Sequence, residues 1–311
     1  MEQQRTQTQT QIKFSDVSFN AKKTKGGFGS IQFGICNQVP VVVKRCKIRN
    51  KSEHIDSETE AKIWAVLSET EAVPVLLGHG KLNKKSMYHY TRYFICEDTK
   101  SCDLHDFINM EKHWVPLREN GSNDSGKKSS YGVLDDNGIY EYTMPRKIKI
   151  HASKKMAKAL LDMQSLGYVH RDIKCENFIV DDLGSCVHLI DFGLSDESEC
   201  AIAENIVVGT PAYCDPCVED DGWSSNKSDV YSLGIVFIRL WLGYMGKNFD
   251  AYNETHNDPR TKLSLRKELM EQLTLLEKKE PSISYLIRKM LSVKLEYRFD
   301  ISQVHNFLTK F

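Results

Sequence analysis

The chain has 311 residues, 41% of them hydrophobic and 27% charged, and its 42 basic residues balance 42 acidic ones. This is the composition of a soluble globular protein, and zero net charge gives no global field that would select nucleic acid or a membrane surface as partner. No stretch approaches the ~20 continuous apolar residues of a membrane-spanning helix, so no membrane span is expected. The length fits one large domain or two lobes.

Residues 1–11 are polar and rich in Gln and Thr. They lack the apolar core of a secretory signal, so we predict a disordered tail and no export. Nine cysteines are scattered from Cys36 to Cys217, a pattern that favours free thiols in a reducing compartment. We therefore expect an intracellular protein, cytoplasmic or nuclear, and the sequence leaves its oligomeric state unknown.

The first third of the chain is predicted to be a small sheet carrying one main helix. Residues 14–46 are rich in β-branched and aromatic side chains and are interrupted by glycines, which indicates successive short strands. Residues 52–67 place apolar side chains among Glu and Lys, as in a helix packed on such a sheet.

The rest of the chain is predicted to be mainly helical after a strand at residues 90–96. Met156, Leu160 and Met163 recur at helical spacing, and residues 235–242 form an apolar helical run. Between these segments, residues 118–137 concentrate Gly, Ser, Asn, Asp and Lys. Such a composition predicts a polar surface insertion.

Two motifs carry the chemistry. Residues 170–177, His-Arg-Asp-Ile-Lys-Cys-Glu-Asn, place an acid, a cation and an amide within six positions, and an Asp-Phe-Gly motif follows at residues 191–193. Together they resemble eukaryotic-type protein kinases of the serine/threonine type, whose catalytic loop holds an Asp base and a metal-binding Asn. The resemblance extends from about Phe14 to Phe311.

The resemblance implies an α+β, two-lobed protein-kinase fold, with a β-rich N-lobe that has one main helix and a mainly α C-lobe. The kinase domain would span residues 12–311, with the N-lobe at about 12–97, the C-lobe at about 98–311 and the insertion at about 118–137. The implied reaction transfers the γ-phosphoryl group of ATP, with Mg²⁺ as cofactor, to Ser/Thr hydroxyls of protein substrates.

The family pattern assigns roles by position. Asp172 would be the catalytic base, Lys174 would approach the transferred phosphate, and Asn177 and Asp191 would bind magnesium.

Upstream, Lys44 at the end of a valine run resembles the family's ATP-anchoring lysine for the α- and β-phosphates. Its counter-ion is expected from the following helix. We assign Glu60, and Glu58 is the alternative.

The nucleotide is expected between the lobes, under a glycine-rich loop whose first glycine position holds Thr24. Missing Cβ atoms let the loop's amides approach phosphate oxygens. Cys96 would be the gatekeeper, and Val42, where Ala is usual, should narrow the adenine slot. The implied nucleotide-binding residues are Gly26, Gly27, Phe28, Gly29, Ile31, Val42, Lys44, Glu97, Thr99, Asp103 and Ile179.

Residues 209–213, Gly-Thr-Pro-Ala-Tyr, resemble the end of the activation loop, and Lys174 two positions after Asp172 is the form found in serine/threonine kinases. We predict that Thr210 bridges Asp172 and Lys174. Asp229 matches the aspartate that braces the catalytic loop from a helix start.

The family's Ala-Pro-Glu is replaced here by Asp-Pro-Cys at residues 215–217. The usual partner of Arg298 is therefore missing, and either Glu219 substitutes for it or the C-lobe anchor is weakened. Arg171 also requires an anion. This could be a phosphoserine at one of the two loop serines or a cluster of fixed acids, namely Ser195 and Ser198 or Asp196, Glu197 and Glu199.

Two other functions stay open at this stage. The altered glycine loop and the missing Glu also occur in a pseudokinase that serves as a nucleotide-binding scaffold, although the retained catalytic residues argue against it. A small-molecule phosphotransferase with a related core is the other alternative.

Overall fold

The computed structural model describes residues 12–26, 29–116, 140–197, 208–221, 224–243, 249, 252 and 259–311. The predicted tail, the polar insertion, Gly27, Phe28, Ser198 and Glu199 lie outside the described residues. Contacts between Cα atoms divide the chain into two compact units, one up to Lys100 and one from Ser101.

The N-terminal unit contains a five-stranded antiparallel sheet in the order β1-β2-β3-β5-β4. Its strands are β1 (Ser18–Gly26), β2 (Gly29–Cys36), β3 (Val39–Ile48), β4 (Leu76–Ser86) and β5 (His89–Glu97). Because side chains alternate along a strand, Val41 and Val43 enter the core, whereas Val42 and Lys44 lie on the opposite face of β3.

Helix α1 (Lys51–Leu67) packs on this sheet. Asn50 caps it, because its side chain accepts a hydrogen bond from the Glu53 amide at 2.9 Å. Near the other end, Trp64 stacks on Phe94 of β5 with ring centroids 5.6 Å apart. The described residues of this unit thus form the sheet with one main helix that the sequence predicts.

The C-terminal unit is mainly helical. Its helices are α2 (Leu104–Asn109), α3 (Arg146–Ser165), α4 (Pro216–Asp221), α5 (Asn226–Leu242), α6 (Pro259–Lys279), α7 (Pro281–Met290) and α8 (Ile301–Leu308). Helix α5 is the central one, because residues on all its sides are buried, as expected of a helix that is apolar all round. It ends at Gly243, whose φ of 76° suits a left-handed C-cap.

Short strands hold the loops of this unit in place. The strands are β6 (Cys102–Asp103), β7 (Trp114–Pro116), β8 (Tyr140–Tyr142), β9 (Tyr168–Val169), β10 (Phe178–Val180), β11 (Val187–Leu189) and β12 (Asp196–Glu197). They pair as β11-β10-β6, β12-β9 and β7-β8. Among the described helices, none combines the length and apolar character that a bilayer crossing demands.

Candidate active site

Asp229, in the first turn of α5, holds the loop at residues 170–177 in place. The backbone amides of His170 and Arg171 donate to the two carboxylate oxygens of Asp229 at 2.7 and 2.9 Å. Burial raises the pKa of Asp229, while the two amides and the charge of Arg171 act in the opposite direction. The predicted brace between α5 and this loop is confirmed.

His170 joins the loop to the Asp-Phe-Gly motif. Its Nε2 donates to the Ile190 carbonyl at 3.1 Å, its Nδ1 accepts from the Asp172 amide at 3.3 Å, and its ring lies edge-on to Phe192. Arg171 and Asp191 have φ angles of 66° and 67°. Left-handed backbone is costly for residues with a side chain, and such strain is typical of functional sites.

Asp172, Lys174 and Thr210 form a compact triangle. Lys174 Nζ lies 2.7 Å from Asp172 Oδ2 and donates to Thr210 Oγ1 at 2.9 Å, and Thr210 Oγ1 donates to Asp172 Oδ1 at 2.8 Å. The predicted Thr210 bridge is therefore confirmed. A hydroxyl in this position points its proton at a buried carboxylate, which is the geometry that general-base catalysis requires.

Gly209 allows the segment that carries Thr210 to approach the loop closely. It has a φ of 94°, and a Cβ added there would lie 2.3 Å from the Arg171 carbonyl oxygen. Glycine is therefore required at this position. The segment is also tied to α5, because the Ser232 hydroxyl donates to the Tyr213 carbonyl at 2.7 Å.

Asn177 is oriented by Asp172. Its Nδ2 donates to the Asp172 carbonyl at 2.7 Å and to Asp172 Oδ2 at 3.0 Å, which leaves the amide oxygen as the atom for a cation. Asn177 also holds the segment just before Asp191, because its carbonyl accepts a hydrogen bond from the Ile190 amide at 3.0 Å. Amide and carboxylate oxygens are ligands that Mg²⁺ prefers, so the donor set fits this ion.

In the N-terminal unit, Lys44 Nζ lies 2.6 Å from Glu60 Oε1, and the two side chains are 13% and 4% exposed. Glu58 instead pairs with Arg92 of β5 and Lys81 of β4. Of the two glutamates considered from the sequence, Glu60 is thus the one in contact with Lys44.

The family model described as the protein kinase domain matches residues 24–308. The chain belongs to the protein kinase family. The two-lobed, α+β protein-kinase fold expected from the sequence is therefore confirmed.

Curated relatives of this kinase domain are serine/threonine protein kinases. The chain is 28% identical to nekl-2 of Caenorhabditis elegans over 55% of its own length and 46% of the relative's. It is 30% identical to CBL-interacting serine/threonine-protein kinase 2 of Arabidopsis thaliana, over 45% and 29%. It is 33% identical to PknL of Mycobacterium tuberculosis, over 36% and 29%. The chain therefore spans less than half the length of each of these relatives.

The residues assigned to the nucleotide are distributed over both units. In β2, a Cβ added at Gly29 would lie 2.3 Å from the Arg45 carbonyl oxygen, so this strand start admits only glycine. Cys96 is buried, which raises the pKa of its thiol to about 12. In the C-terminal unit, Ile179 of β10 lies opposite Asp103 of β6. The Asp103 side chain also caps α2 by accepting from the Asp106 amide at 2.8 Å.

Glu97 was expected to offer backbone hydrogen bonds to adenine. Its amide already donates to the Val75 carbonyl at 3.1 Å, and its side chain accepts from the Val75 amide at 3.0 Å. Because the Glu97 amide is engaged in this way, its predicted hydrogen bond to adenine stays a prediction for the carbonyl oxygen.

Of the two alternatives left open for Arg298, a weakened anchor is wrong, because a third residue binds the guanidinium. Asp215 binds the guanidinium with both carboxylate oxygens, from Nη1 to Oδ2 and from Nη2 to Oδ1, the latter at 2.9 Å. Both side chains are fully buried, and Arg298 also donates to the carbonyls of Lys227 and Ser292. The side chain of Glu219, the other expected partner, lies outside the described part of the structure.

Sequence reasoning missed Asp215, although a signal was present. An acid stands directly before Pro216, two positions upstream of the family's glutamate. Although the carboxylate stands two positions earlier than in the family pattern, it still forms a buried, bidentate pair with Arg298.

Arg171 finds its anion in a fixed acid. Its Nη1 lies 3.3 Å from Asp196 Oδ2, and its Nε donates to the Leu194 carbonyl at 2.5 Å. Pairing of β12 with β9 brings Asp196 opposite Val169, just before the catalytic loop. Ser195, one of the two serines considered as phosphorylation sites, is only 6% exposed, and its hydroxyl faces the His170 carbonyl at 3.4 Å.

Proposed function

We propose that this kinase domain transfers the γ-phosphoryl group of ATP to serine and threonine hydroxyls of protein substrates. One observation carries the proposal, namely the triangle of Asp172, Lys174 and Thr210. Thr210 occupies the position that an acceptor hydroxyl would take, with its proton directed at a carboxylate and its oxygen at a cation.

The same triangle supports a division of labour. Asp172 accepts the hydroxyl proton as the oxygen attacks phosphorus, and Lys174 stabilises negative charge on the transferred group. Asn177 and Asp191 would hold magnesium, which neutralises phosphate charge when it is bound. The orientation of Asn177 by Asp172 links the metal ligand to the base.

In the N-terminal unit, Lys44 would bind the α- and β-phosphates, with Glu60 holding its ammonium group in place. We further assign nucleotide contacts to the glycine-rich turn, to β2 and β3, to the end of β5 and the residues after it, and to β6 and β10. These positions are Gly26, Gly27, Phe28, Gly29, Ile31, Val42, Glu97, Thr99, Asp103 and Ile179.

The preference for Ser/Thr acceptors rests on Lys174 and Thr210. Both belong to the serine/threonine form of the catalytic loop and activation segment, and the names of the curated relatives agree. The substrate class and the activity of the whole protein are part of this proposal.

The test is transfer of label from γ-labelled ATP to a generic protein substrate, followed by analysis of the labelled amino acids. We expect phosphoserine and phosphothreonine with wild type and none with Asp172→Asn. Nucleotide binding without transfer would instead identify a pseudokinase scaffold. Label on tyrosine would contradict the assigned specificity, and equal transfer by Asp172→Asn would contradict the assigned base.

A further inference from the structure

Two glutamates on α1 contact different strands of the N-terminal sheet. With 3.6 residues per turn, positions 58 and 60 are rotated by roughly 200° about the helix axis. Glu60 contacts Lys44 of β3, whereas Glu58 Oε1 lies 2.9 Å from Lys81 Nζ of β4 and 3.1 Å from Arg92 Nη1 of β5. Ion pairs therefore connect the helix to three strands at once.

Arg92 is a buried cation that depends on Glu58. Its side chain is 2% exposed, and its Nη2 lies 3.4 Å from Glu58 Oε2, so both arms of the guanidinium meet the carboxylate. Burial and the charge of Arg92 lower the pKa of His79, whose Nδ1 lies 3.2 Å from Arg92 Nη2. Within the described part of the chain, Arg92 Nε has no hydrogen-bond partner. Removing the carboxylate from a buried guanidinium is strongly unfavourable.

Aromatic contacts link α1 to β5 both before and after the two glutamates along the helix. The Arg92 guanidinium carbon lies 5.4 Å from the Phe94 ring centroid, and Phe94 stacks on Trp64 one turn after Glu60. One turn before Glu58, His54 Nδ1 lies 2.8 Å from the Tyr90 hydroxyl. The contacts with β5 thus extend from position 54 to position 64.

We propose that Glu58, Lys81 and Arg92 form a positioning cluster that fixes the rotation of α1 and thereby keeps Glu60 on Lys44. A rotation of the helix that separates Glu60 from Lys44 also withdraws Glu58 from Arg92 and leaves a buried charge unpaired. The two ion pairs therefore favour the same orientation. The inference rests on the proposed function in one respect, since it assigns Lys44 to the phosphates.

The first variant to test is Glu58→Gln, which removes one charge at a half-exposed position. We expect kcat/KM for ATP to fall about tenfold, within the range of couplings measured for side chains that share one network. The matched control is Glu69→Gln, an exposed glutamate just beyond the end of α1, with activity unchanged. Arg92→Met, which replaces the buried guanidinium by an apolar side chain of similar length, should reproduce the loss.

A double-mutant cycle separates positioning from general destabilisation. If Glu58 acts through Glu60, the effect of Glu58→Gln on kcat/KM disappears in a Glu60→Gln background, while the unfolding midpoint falls equally in both. Equal tenfold losses in both backgrounds would overturn the proposal.

The cycle can also be measured as affinity for a fluorescent ATP analogue. A wild-type chain that binds the analogue and transfers no phosphate would contradict the proposed function, and the cycle would still test the cluster. An active wild type with additive variants would refute the cluster and leave the function intact.

Discussion

At the residue scale, this kinase domain contains ion pairs whose side chains are largely shielded from water. Lys44 and Glu60 form such a pair in the N-terminal unit, and Asp215 and Arg298 form another in the C-terminal unit. The first pair serves the proposed chemistry and the second supports the fold, so their loss should have different consequences.

Lys44→Met and Asp191→Asn remove phosphate positioning and metal charge. We expect each to lower kcat/KM by roughly a hundredfold or more, the usual effect of losing one preorganised charge-stabilising contact. Circular dichroism should show a folded protein in both cases. Activity close to wild type in either variant, with unchanged melting, would contradict the site assignment.

Asp215→Ala leaves the buried Arg298 guanidinium without a counter-charge. We expect the free energy of unfolding to fall by about 3–5 kcal/mol, as for other broken buried ion pairs. Urea unfolding measures the change, with Asp182→Ala at an exposed position as the control. Adding Cys217→Glu restores the family's glutamate, and recovery of stability would show that a carboxylate at either position can bind Arg298. Unaltered stability of Asp215→Ala would contradict the structural role.

At the element scale, the β7-β8 hairpin separates the polar insertion from the rest of the C-terminal unit. Pro116 and Tyr140 are cross-strand partners, as are Trp114 and Tyr142. The Tyr142 hydroxyl donates to the Leu240 carbonyl at 3.0 Å, which ties the base of the hairpin to α5. The chain ends that flank residues 117–139 are thus already held together.

Replacing residues 117–139 by a short Gly/Ser turn should therefore preserve transfer to a generic substrate and the affinity for ATP. A short loop can close cross-strand partners without straining the ladder. The comparison is between the full chain and the shortened variant in activity and nucleotide titration. Loss of ATP binding on replacement would show that the insertion contributes to the site.

The β9-β12 pairing makes a second element-scale prediction, because it presents Asp196 to Arg171 without any modification. We expect substantial activity after phosphatase treatment, and a several-fold loss in Asp196→Asn. One carboxylate carries less charge than a phosphate, and at 47% exposure it is partly screened, so high salt should lower wild-type activity toward that of the variant.

The matched variant is Ser195→Ala, whose buried hydroxyl is not available for modification in this conformation. It should keep wild-type activity. An inactive Ser195→Ala together with a fully active Asp196→Asn would show that phosphoserine supplies the anion.

At the scale of the whole molecule, each unit contains a histidine whose surroundings lower its pKa. Burial, with Lys112 and Lys149 nearby, lowers the pKa of His113 to about 4, and burial with Arg92 nearby lowers that of His79. Unfolded histidines titrate near 6.5, so the unfolded state binds more protons between about pH 4 and 6.5. Stability should therefore fall as pH drops through this window.

His113→Phe keeps a ring against Phe107. In this variant, the loss in free energy of unfolding between pH 6.5 and 4 should be smaller than in wild type by about 1–3 kcal/mol. Urea unfolding at half-unit pH steps measures how the free energy of unfolding changes with pH. A constant difference in stability caused by repacking around the new ring does not affect this slope. The same slope in wild type and variant would contradict the assignment of His113.

The sequence by itself determined the family, the division into a strand-rich first third and a mainly helical remainder, and the candidate residues of the proposed chemistry. Asp172, Lys174 and Asn177 lie within six positions, because a single loop must present them together. The valine run that ends at Lys44 likewise indicated a strand that carries the lysine. These features are local, so spacing alone is enough to predict them.

Only the tertiary structure decided which charges meet across long separations in the chain. Asp215 and Arg298 are 83 residues apart, and Glu58 and Arg92 are 34 apart. Their pairing depends on helix phase, strand register and the packing that removes water from both partners, none of which local spacing specifies. A buried guanidinium requires a carboxylate, but the fold determines which one can reach it.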